Sequence, residues 1–193
     1  MPKIVDATAQ RREIRDAARR VFARRGVAGT GLAHVAKAAG MARSSLYHYY
    51  PGKSSLVRDL ARELLDEEEA LFLSATRGAG SPMERIEKLA AELTRLFDGW
   101  AALGRVVSDL RSLDKRRFRS FFRSIRSGLG ALIAEGQAAG EIDPSLDPEL
   151  AAATVIGAVD GLLLQDFVDP AAFADRAALA RNLTTMLRKG LAG

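Results

Sequence analysis

Residues 30–53, TGLAHVAKAAGMARSSLYHYYPGK, decide the fold of the N-terminal part of this chain. Apolar side chains recur there at the spacing of one buried helix face, first before and then after Gly40. These are Leu32, Val35, Ala36, Ala39, Leu46 and Tyr50. A glycine takes the left-handed conformation without a Cβ clash, so the chain can reverse within about 3–4 residues at Gly40. The stretch therefore predicts two short helices packed together as a helix-turn-helix.

The second of these helices carries a dense set of hydrogen-bond donors. Its polar residues are Arg43, Ser44, Ser45, Tyr47, His48 and Tyr49. A helix face that merely meets water normally mixes acidic with basic side chains, whereas residues 30–58 contain no Asp or Glu. An ordinary helical corner is the alternative, but the acid-free composition favours a recognition helix that enters a DNA groove.

Turn and capping signals divide the remaining chain into helices. Gly26 ends a first helix predicted over about 9–25, and Thr30 is a candidate N-cap for the second. A proline and a glycine at 51–52 end the third, and a fourth is predicted over about 53–74. The capping box SPME at 81–84 and the Asp-Pro pairs at 147–148 and 169–170 signal later helix starts. Five more helices are predicted over about 82–101, 103–112, 115–139, 148–168 and 171–189.

No segment alternates with period two, so the predicted fold class is all-α with about nine helices. Residues 1–53 are predicted to form a three-helix DNA-binding domain, and residues 54–193 a larger helical domain. The charge distribution agrees with this division. Residues 1–60 hold 12 Lys and Arg against 4 Asp and Glu, whereas residues 61–193 hold 17 against 20. The basic excess lies with the helices predicted to approach phosphates.

The composition excludes several kinds of site. The chain has no cysteine, and its two histidines, His34 and His48, both lie in the first 50 residues. We therefore expect no disulfide, no metal and no cofactor. No secretory signal is seen, and the most apolar stretch, 150–168, contains Asp160 and Asp166. We expect that stretch to be a buried or interface helix rather than a membrane span, and the protein to be cytoplasmic.

Residues 14–64, about a quarter of the chain, resemble the DNA-binding domain of TetR/AcrR-family transcriptional regulators. The matching segments are IRDAARRVFARRGVAGTGLAHVAKAAGM and SSLYHYYPGKSSLV, with a Leu-Tyr-x-x-aromatic run and then Pro-x-Lys. The resemblance places Arg43, Ser44, Ser45, Tyr47 and His48 at base and nearby phosphate contacts. It places Thr30, Tyr49 and Lys53 at backbone phosphates. It also implies effector binding by the helices over 82–139 and dimerisation by the last two helices.

The residues themselves support some of these roles and leave others open. Arg43 could read a guanine through a bidentate hydrogen bond, contact a phosphate, or remain solvated. Tyr47 and Tyr49 could be core rings, but the buried positions of their helix are already filled, so we favour phosphate contacts. Lys53, at the start of the fourth helix, is predicted to bind phosphate as a mobile point charge.

The candidate effector site draws on a large apolar set that would suit either a plain core or a ligand cavity. We select Phe97, Trp100, Leu103, Val107, Phe121, Phe122, Ile125, Asp160 and Leu164. Asp160 is costly inside an apolar helix unless it is paired. Its partner could be a polar ligand group, a cationic side chain, or a symmetry-related chain. A basic run over 111–126 is either a solvated face or an attraction for an anionic effector such as an acyl-CoA.

The predicted dimer interface lies on the last two helices, where small and apolar residues form stripes. Its residues are Leu150, Thr154, Gly157, Gly161, Leu183, Met186 and Leu187. A four-helix bundle between two subunits would bury both stripes. A monomer would leave a large apolar patch in water, which soluble proteins rarely do.

We therefore predict a homodimeric, ligand-responsive transcriptional repressor. Two recognition helices would enter successive major grooves of a pseudo-palindromic double-stranded operator, about 34–36 Å apart. A small hydrophobic effector would move the fourth helix as a lever and release the DNA. One alternative is an architectural or effector-independent DNA-binding protein, with weak sequence preference and a steep salt dependence. An enzyme acting on small hydrophobic molecules is a second alternative, for which the chain offers little chemistry.

Overall fold

The computed structural model describes residues 7–97 and 115–192, which form eight α-helices and no strand. The predicted all-α fold class is confirmed. The described residues divide into two compact units, one of residues 7–64 and one of residues 65–97 and 115–192. The helix predicted over about 103–112 lies outside the described residues.

The first unit contains α1 (Ala7–Arg25), α2 (Leu32–Ala38), α3 (Arg43–Tyr49) and the first turns of α4 (Lys53–Arg77). Gly26 and Gly40 both have positive φ, 69° and 66°, so the two predicted reversals occur where a glycine permits them. The core of the unit collects the apolar stripes of all four helices. It includes Ile14, Ala17, Ala18, Phe22, Val35, Leu46, Tyr50, Leu56, Leu60 and Leu64.

One prediction about this unit is wrong in detail. The N-cap of α2 is Gly31, because the Thr30 side chain is buried and its hydroxyl donates to the Gly26 carbonyl at 2.7 Å. The compact unit ends at Leu64, whereas the predicted boundary of the DNA-binding domain is Lys53. Leu56, Val57, Leu60 and Leu64 pack into the core of the first unit, so the first three turns of α4 belong to that unit.

The second unit contains the end of α4, then α5 (Pro82–Leu93), α6 (Lys115–Ala138), α7 (Pro148–Val168) and α8 (Arg176–Leu191). The predicted capping box is present, since Glu84 Oε2 accepts from the Ser81 amide at 3.0 Å and Ser81 Oγ accepts from the Glu84 amide at 3.4 Å. Asp147 caps α7 as predicted, accepting from the Leu150 amide at 2.8 Å.

Two helix boundaries of the second unit differ from the prediction. The helix expected over 82–101 is α-helical over Pro82–Leu93 and is followed by a 3-10 turn over Thr94–Leu96, and its last four predicted residues, 98–101, lie outside the described residues. The Asp-Pro pair at 169–170 begins another 3-10 turn instead of the last α-helix. That helix starts only at Arg176, because Asp175 accepts from the Ala178 amide at 2.8 Å and acts as the N-cap.

Two buried charged groups tie the helices of the second unit together. Arg85 on α5 donates to the carbonyls of Ala75 and Thr76 at the end of α4, at 3.1 and 2.8 Å, and binds both carboxylate oxygens of Glu135 on α6. Asp166 on α7, with no exposed surface, binds Arg176 of α8 through both oxygens at 2.5 and 3.0 Å. Each of these arginines fixes how two helix ends meet.

We expect the substitution Asp166→Ala to reduce the free energy of unfolding by about 3 kcal/mol, because it removes the partner of a partly buried guanidinium. Urea unfolding monitored by circular dichroism measures this. Glu149→Ala is the control, since the side chains of Arg126 and Glu149 lie 3.5 Å apart and are 43% and 61% exposed, so its loss should cost far less. Equal losses in the two variants would contradict the role assigned to Asp166.

Candidate nucleic-acid interface and ligand-binding surfaces

The outward face of α3 presents the polar residues predicted to contact DNA. Arg43, Ser44, Tyr47 and His48 are exposed, and Ser45 is partly exposed. Leu46, on the opposite face, has no exposed surface. The N-cap residue Ala42 makes no side-chain hydrogen bond, so the first amides of α3 have no side-chain cap. The short helix thus offers donors to solvent on one side and is anchored by apolar contact on the other.

Arg43 and Tyr47 form a pair on this exposed face. The Arg43 guanidinium donates to the Tyr47 hydroxyl at 3.1 Å and lies 5.5 Å from the centre of its ring. The hydrogen bond to Tyr47 raises the pKa of Arg43 above its usual value. Two of the predicted contact residues are therefore held together one turn apart, with the guanidinium charged.

The residues predicted to bind backbone phosphate occupy different environments. Tyr49 is partly buried, with the Arg11 guanidinium 5.9 Å from its ring centre. The Lys53 ammonium donates to the Val27 carbonyl at 2.9 Å, so it is held in place and is not the mobile charge that we predicted. Thr30 must be removed from the predicted interface, because its side chain is 1% exposed and its hydroxyl is hydrogen-bonded inside the unit.

Part of the basic excess of the first unit is neutralised within that unit. Arg19 on α1 binds Glu63 on α4 at 2.9 Å, and Arg15 lies 3.1 Å from the same carboxylate. Arg15 also lies 3.4 Å from Asp59. These two arginines join α1 to α4, so the count of basic residues overstates the charge available to a phosphate.

Tyr50 has a polar role that was not predicted from the sequence. Its ring is 2% exposed and its hydroxyl donates to Asp59 Oδ2 at 2.5 Å. Burial and the hydrogen bond to Asp59 raise the pKa of Tyr50, so the hydroxyl keeps the proton that it donates. A signal was available, because a buried tyrosine needs a partner for its hydroxyl and Asp59 is the first acidic residue after the acid-free stretch.

The effector-site predictions fall partly within the described second unit. Phe97, Phe121 and Ile125 are buried, and the rings of Phe121 and Phe122 meet edge to face with 5.3 Å between centres. Trp100, Leu103 and Val107 lie outside the described residues. The side chain of Leu164 is 64% exposed and does not face the interior of the second unit. The inward face of α7 runs instead through Ala152, Val155, Ile156, Val159 and Asp166.

Asp160, predicted for the effector site, is a partly buried carboxyl group on α7. Its burial raises the pKa of the carboxyl from 3.8 to about 6. Among residues 7–97 and 115–192 it has no ion-pair partner. An apolar setting destabilises the charged form of an unpaired carboxyl group, which is the origin of the pKa shift.

The basic run at the start of α6 is partly engaged in ion pairs. Arg117 binds Asp66 at 2.6 Å and Glu69 at 2.7 Å, and its hydrogen bond lowers the pKa of Glu69. Arg126 lies 3.5 Å from Glu149 on α7. Arg111 lies outside the described residues. These pairs reduce the charge that could attract an anionic effector.

An open groove of about 750 Å³ lies between α7 and α8. Its lining is mainly apolar and includes every residue predicted for the dimer interface: Leu150, Thr154, Gly157, Gly161, Leu183, Met186 and Leu187. Leu183 and Leu187 are buried at its base, whereas Leu150 and Met186 are 69% and 73% exposed. A Cβ added at Gly157 or Gly161 would meet no atom within 4 Å, so the space above both glycines is open.

The helix α7 is also, within the described ranges, the one long and apolar enough to cross a membrane by composition. Only 28% of its most apolar 18-residue stretch is buried. The described residues contain no group of three or more histidines and carboxylates that could hold a metal ion.

Two protein-family models match the chain. The model for "Bacterial regulatory proteins, tetR family" matches residues 14–60, from α1 into the start of α4. The model for "BetI-type transcriptional repressor, C-terminal" matches residues 114–189, which include α6, α7 and most of α8.

Individual relatives agree with these matches. The HTH-type transcriptional regulator BetI of Brucella canis is 36% identical over 91 residues, so the chain spans about half of that relative (46%) and the match covers 47% of this chain. The HTH-type transcriptional regulator TtgR of Pseudomonas putida is 28% identical over 180 residues, 85% of each chain. A solved TetR/AcrR-family regulator from Thermobifida fusca is 25% identical, with a TM-score of 0.69 over 94% of this chain and 98% of its own.

We expect Asp160→Asn to stabilise the protein at neutral pH by up to about 3 kcal/mol, because it removes a buried charge whose pKa rises from 3.8 to about 6 on folding. A folded-state pKa above the unfolded value means that the cost of the carboxylate is complete above pH 6 and disappears as the pH falls towards 4. The gain should therefore shrink over that range. Thermal melts of both proteins across it measure the difference, and a pH-independent gain would show that burial of charge is not the cause.

Proposed function

Because this chain belongs to the TetR family of transcriptional regulators, we propose that it is a homodimeric, ligand-responsive repressor that binds a pseudo-palindromic operator through α3. The observation that carries the proposal is the two-sided character of α3. Its exposed face holds Arg43, Ser44, Tyr47 and His48 without an acidic neighbour, while Leu46 anchors the other face in the core. Such a helix can enter a major groove without distorting its own unit.

The candidate DNA-binding side chains of α3 and the start of α4 would make two kinds of contact, to bases and to phosphates. Arg43 has the planar guanidinium that suits a guanine edge, and Tyr47 and His48 can donate to a base or a nearby phosphate. Lys53, fixed on the Val27 carbonyl, keeps two further ammonium protons for a phosphate. Tyr49 is a further candidate for a phosphate contact, through its hydroxyl.

The groove between α7 and α8 supports dimerisation through these two helices. Four large apolar side chains on α7 and α8 are exposed in the single chain: Leu150, Leu164, Val168 and Met186. A second copy bringing the same two helices would cover the groove and make a four-helix bundle, with Gly157 and Gly161 allowing close helix approach. Two operator-binding units would then face two half-sites.

Ligand response is the third part of the proposal. Phe97, Phe121 and Ile125 are buried in the second unit, Phe122 packs on Phe121, and Asp160 is a partly buried polar group. We assign the effector site to these residues, because an apolar lining with a few polar groups suits a small hydrophobic ligand. Since α4 runs from the first unit into the second, a small hydrophobic effector there would act on α4 as a lever and lower operator affinity. An effector that binds without changing operator affinity would contradict this. We expect the protein to act in the cytoplasm, and not as an enzyme.

We expect Arg43→Ala to reduce affinity for a selected operator by about tenfold or more and to relax the base preference at one position of each half-site. The measurement is selection of duplexes from a random library, followed by titration of the enriched duplex. Arg95→Ala removes an equal charge from an exposed position of the second unit and should leave the preference unchanged. If Arg43→Ala reduces affinity equally for all duplex sequences, Arg43 contacts a phosphate and not a base.

We expect Met186→Glu to convert the dimer into monomers, because it places a charge in the apolar groove. Leu73→Glu is the matched control, since Leu73 is an exposed leucine on α4 that does not line the groove. Sedimentation equilibrium of both variants gives the oligomeric state. The proposed interface is wrong if both variants remain dimeric or if both dissociate.

A further inference from the structure

Tyr50 is the C-cap residue of α3 and the point where that helix meets α4. Its ring lies in the core of the first unit, and its hydroxyl donates to Asp59 Oδ2 on α4 at 2.5 Å. The Arg11 guanidinium of α1 lies 5.1 Å from the centre of the same ring. The end of the recognition helix is thus held by a hydrogen bond from one side and a cation–π contact from another.

Asp59 is itself held from two directions. Its Oδ2 atom accepts from Tyr50 and from Arg15 Nη1, the latter at 3.4 Å. A single carboxylate oxygen therefore joins α1, α3 and α4. Because hydrogen bonds weaken steeply when misaligned, this contact constrains an angle as well as a distance. The burial of Leu46 fixes only how deeply α3 sits, since apolar packing has little directionality.

We propose that Tyr50 and Asp59 form a positioning pair that sets the angle of α3 against α4 and thereby the sequence discrimination of the DNA-binding surface. This inference rests on the proposed function, because it assigns the pair to operator recognition. Neither residue needs to contact a base, and Tyr50 is buried. They act through Arg43, Tyr47 and the other exposed side chains of α3, whose directions depend on the helix that carries them.

Base readout should be more sensitive to this angle than phosphate binding. A bidentate contact to a base edge requires the guanidinium plane to match two acceptors, whereas a phosphate attracts a cation from many directions. Loss of the pair should therefore lower specific affinity and leave non-specific affinity and its salt dependence unchanged. A purely structural role would change both affinities together, or neither.

The test is a double-mutant cycle on the full-length protein. The probes are the duplex that the wild-type protein enriches from a random library and a scrambled duplex of equal length. We expect Tyr50→Phe, which removes only the hydroxyl, to weaken binding to the enriched duplex about tenfold, equivalent to about 1.4 kcal/mol. Asp59→Ala should produce a similar loss, and the double variant no more than either single variant.

Two further variants separate positioning from stability. Asp59→Asn keeps an acceptor for the Tyr50 hydroxyl and should retain most of the specific affinity. Glu63→Gln weakens the neighbouring contact between α1 and α4 without touching α3, and should lower the melting temperature but not the ratio of specific to non-specific affinity. If Tyr50→Phe does not fold, the hydrogen bond is tested by comparing Asp59→Ala, which removes the acceptor, with Asp59→Asn, which keeps it.

Three results would refute the proposal that Tyr50 and Asp59 form a positioning pair. These are wild-type specificity in Tyr50→Phe, equal losses on the enriched and scrambled duplexes, and a loss of specificity in Glu63→Gln that matches the loss in Tyr50→Phe. If the wild-type protein enriches no duplex at all, the proposed function fails and this inference fails with it. Specific wild-type binding that Tyr50→Phe leaves unchanged refutes the positioning pair alone.

Discussion

Burial of one face of α3 is the constraint on which the first unit depends. A helix of seven residues is not stable in water, because nucleation costs more than so few hydrogen bonds return. The helix persists here because Leu46 and Tyr50 are removed from water among α1, α2 and α4. The polar residues of its other face are thereby held outward at fixed spacing. Because the apolar side of α3 is buried, only its polar side is available for recognition.

The charges of the first unit show the difference between composition and arrangement. Seven arginines lie on α1, and their number suggests a surface made for phosphate. Yet Arg15 and Arg19 face α4 and pair with its carboxylates. Acidic residues are absent from 30–58 and resume at Asp59, on α4. The same acidic residues that neutralise α1 therefore lie away from the outward side chains of α3, whose charge remains uncompensated.

The second unit combines a satisfied polar interior with an exposed apolar surface. Arg85 and Asp166 are buried, each is bound by a partner of opposite charge, and each pair fixes where helix ends meet. The groove between α7 and α8 is the reverse case, with Leu150 and Met186 in water. Contiguous exposed apolar surface of this kind is typical of an interaction site. The structure thus separates what holds the chain together from what is available to a second chain.

The sequence by itself determined the all-α class, the helix-turn-helix and most helix boundaries. Helical periodicity, the glycines at 26 and 40, and the caps at Ser81 and Asp147 are local signals that each act within a few residues. The residues predicted for the dimer interface line one groove, because residues three and four apart share a helix face. Only the tertiary structure decided which polar groups meet across helices. Thr30 turns inward, Lys53 is held by Val27, Leu164 faces water, and Tyr50 reaches Asp59. Such pairings depend on where separate helices pack, and no local pattern encodes that.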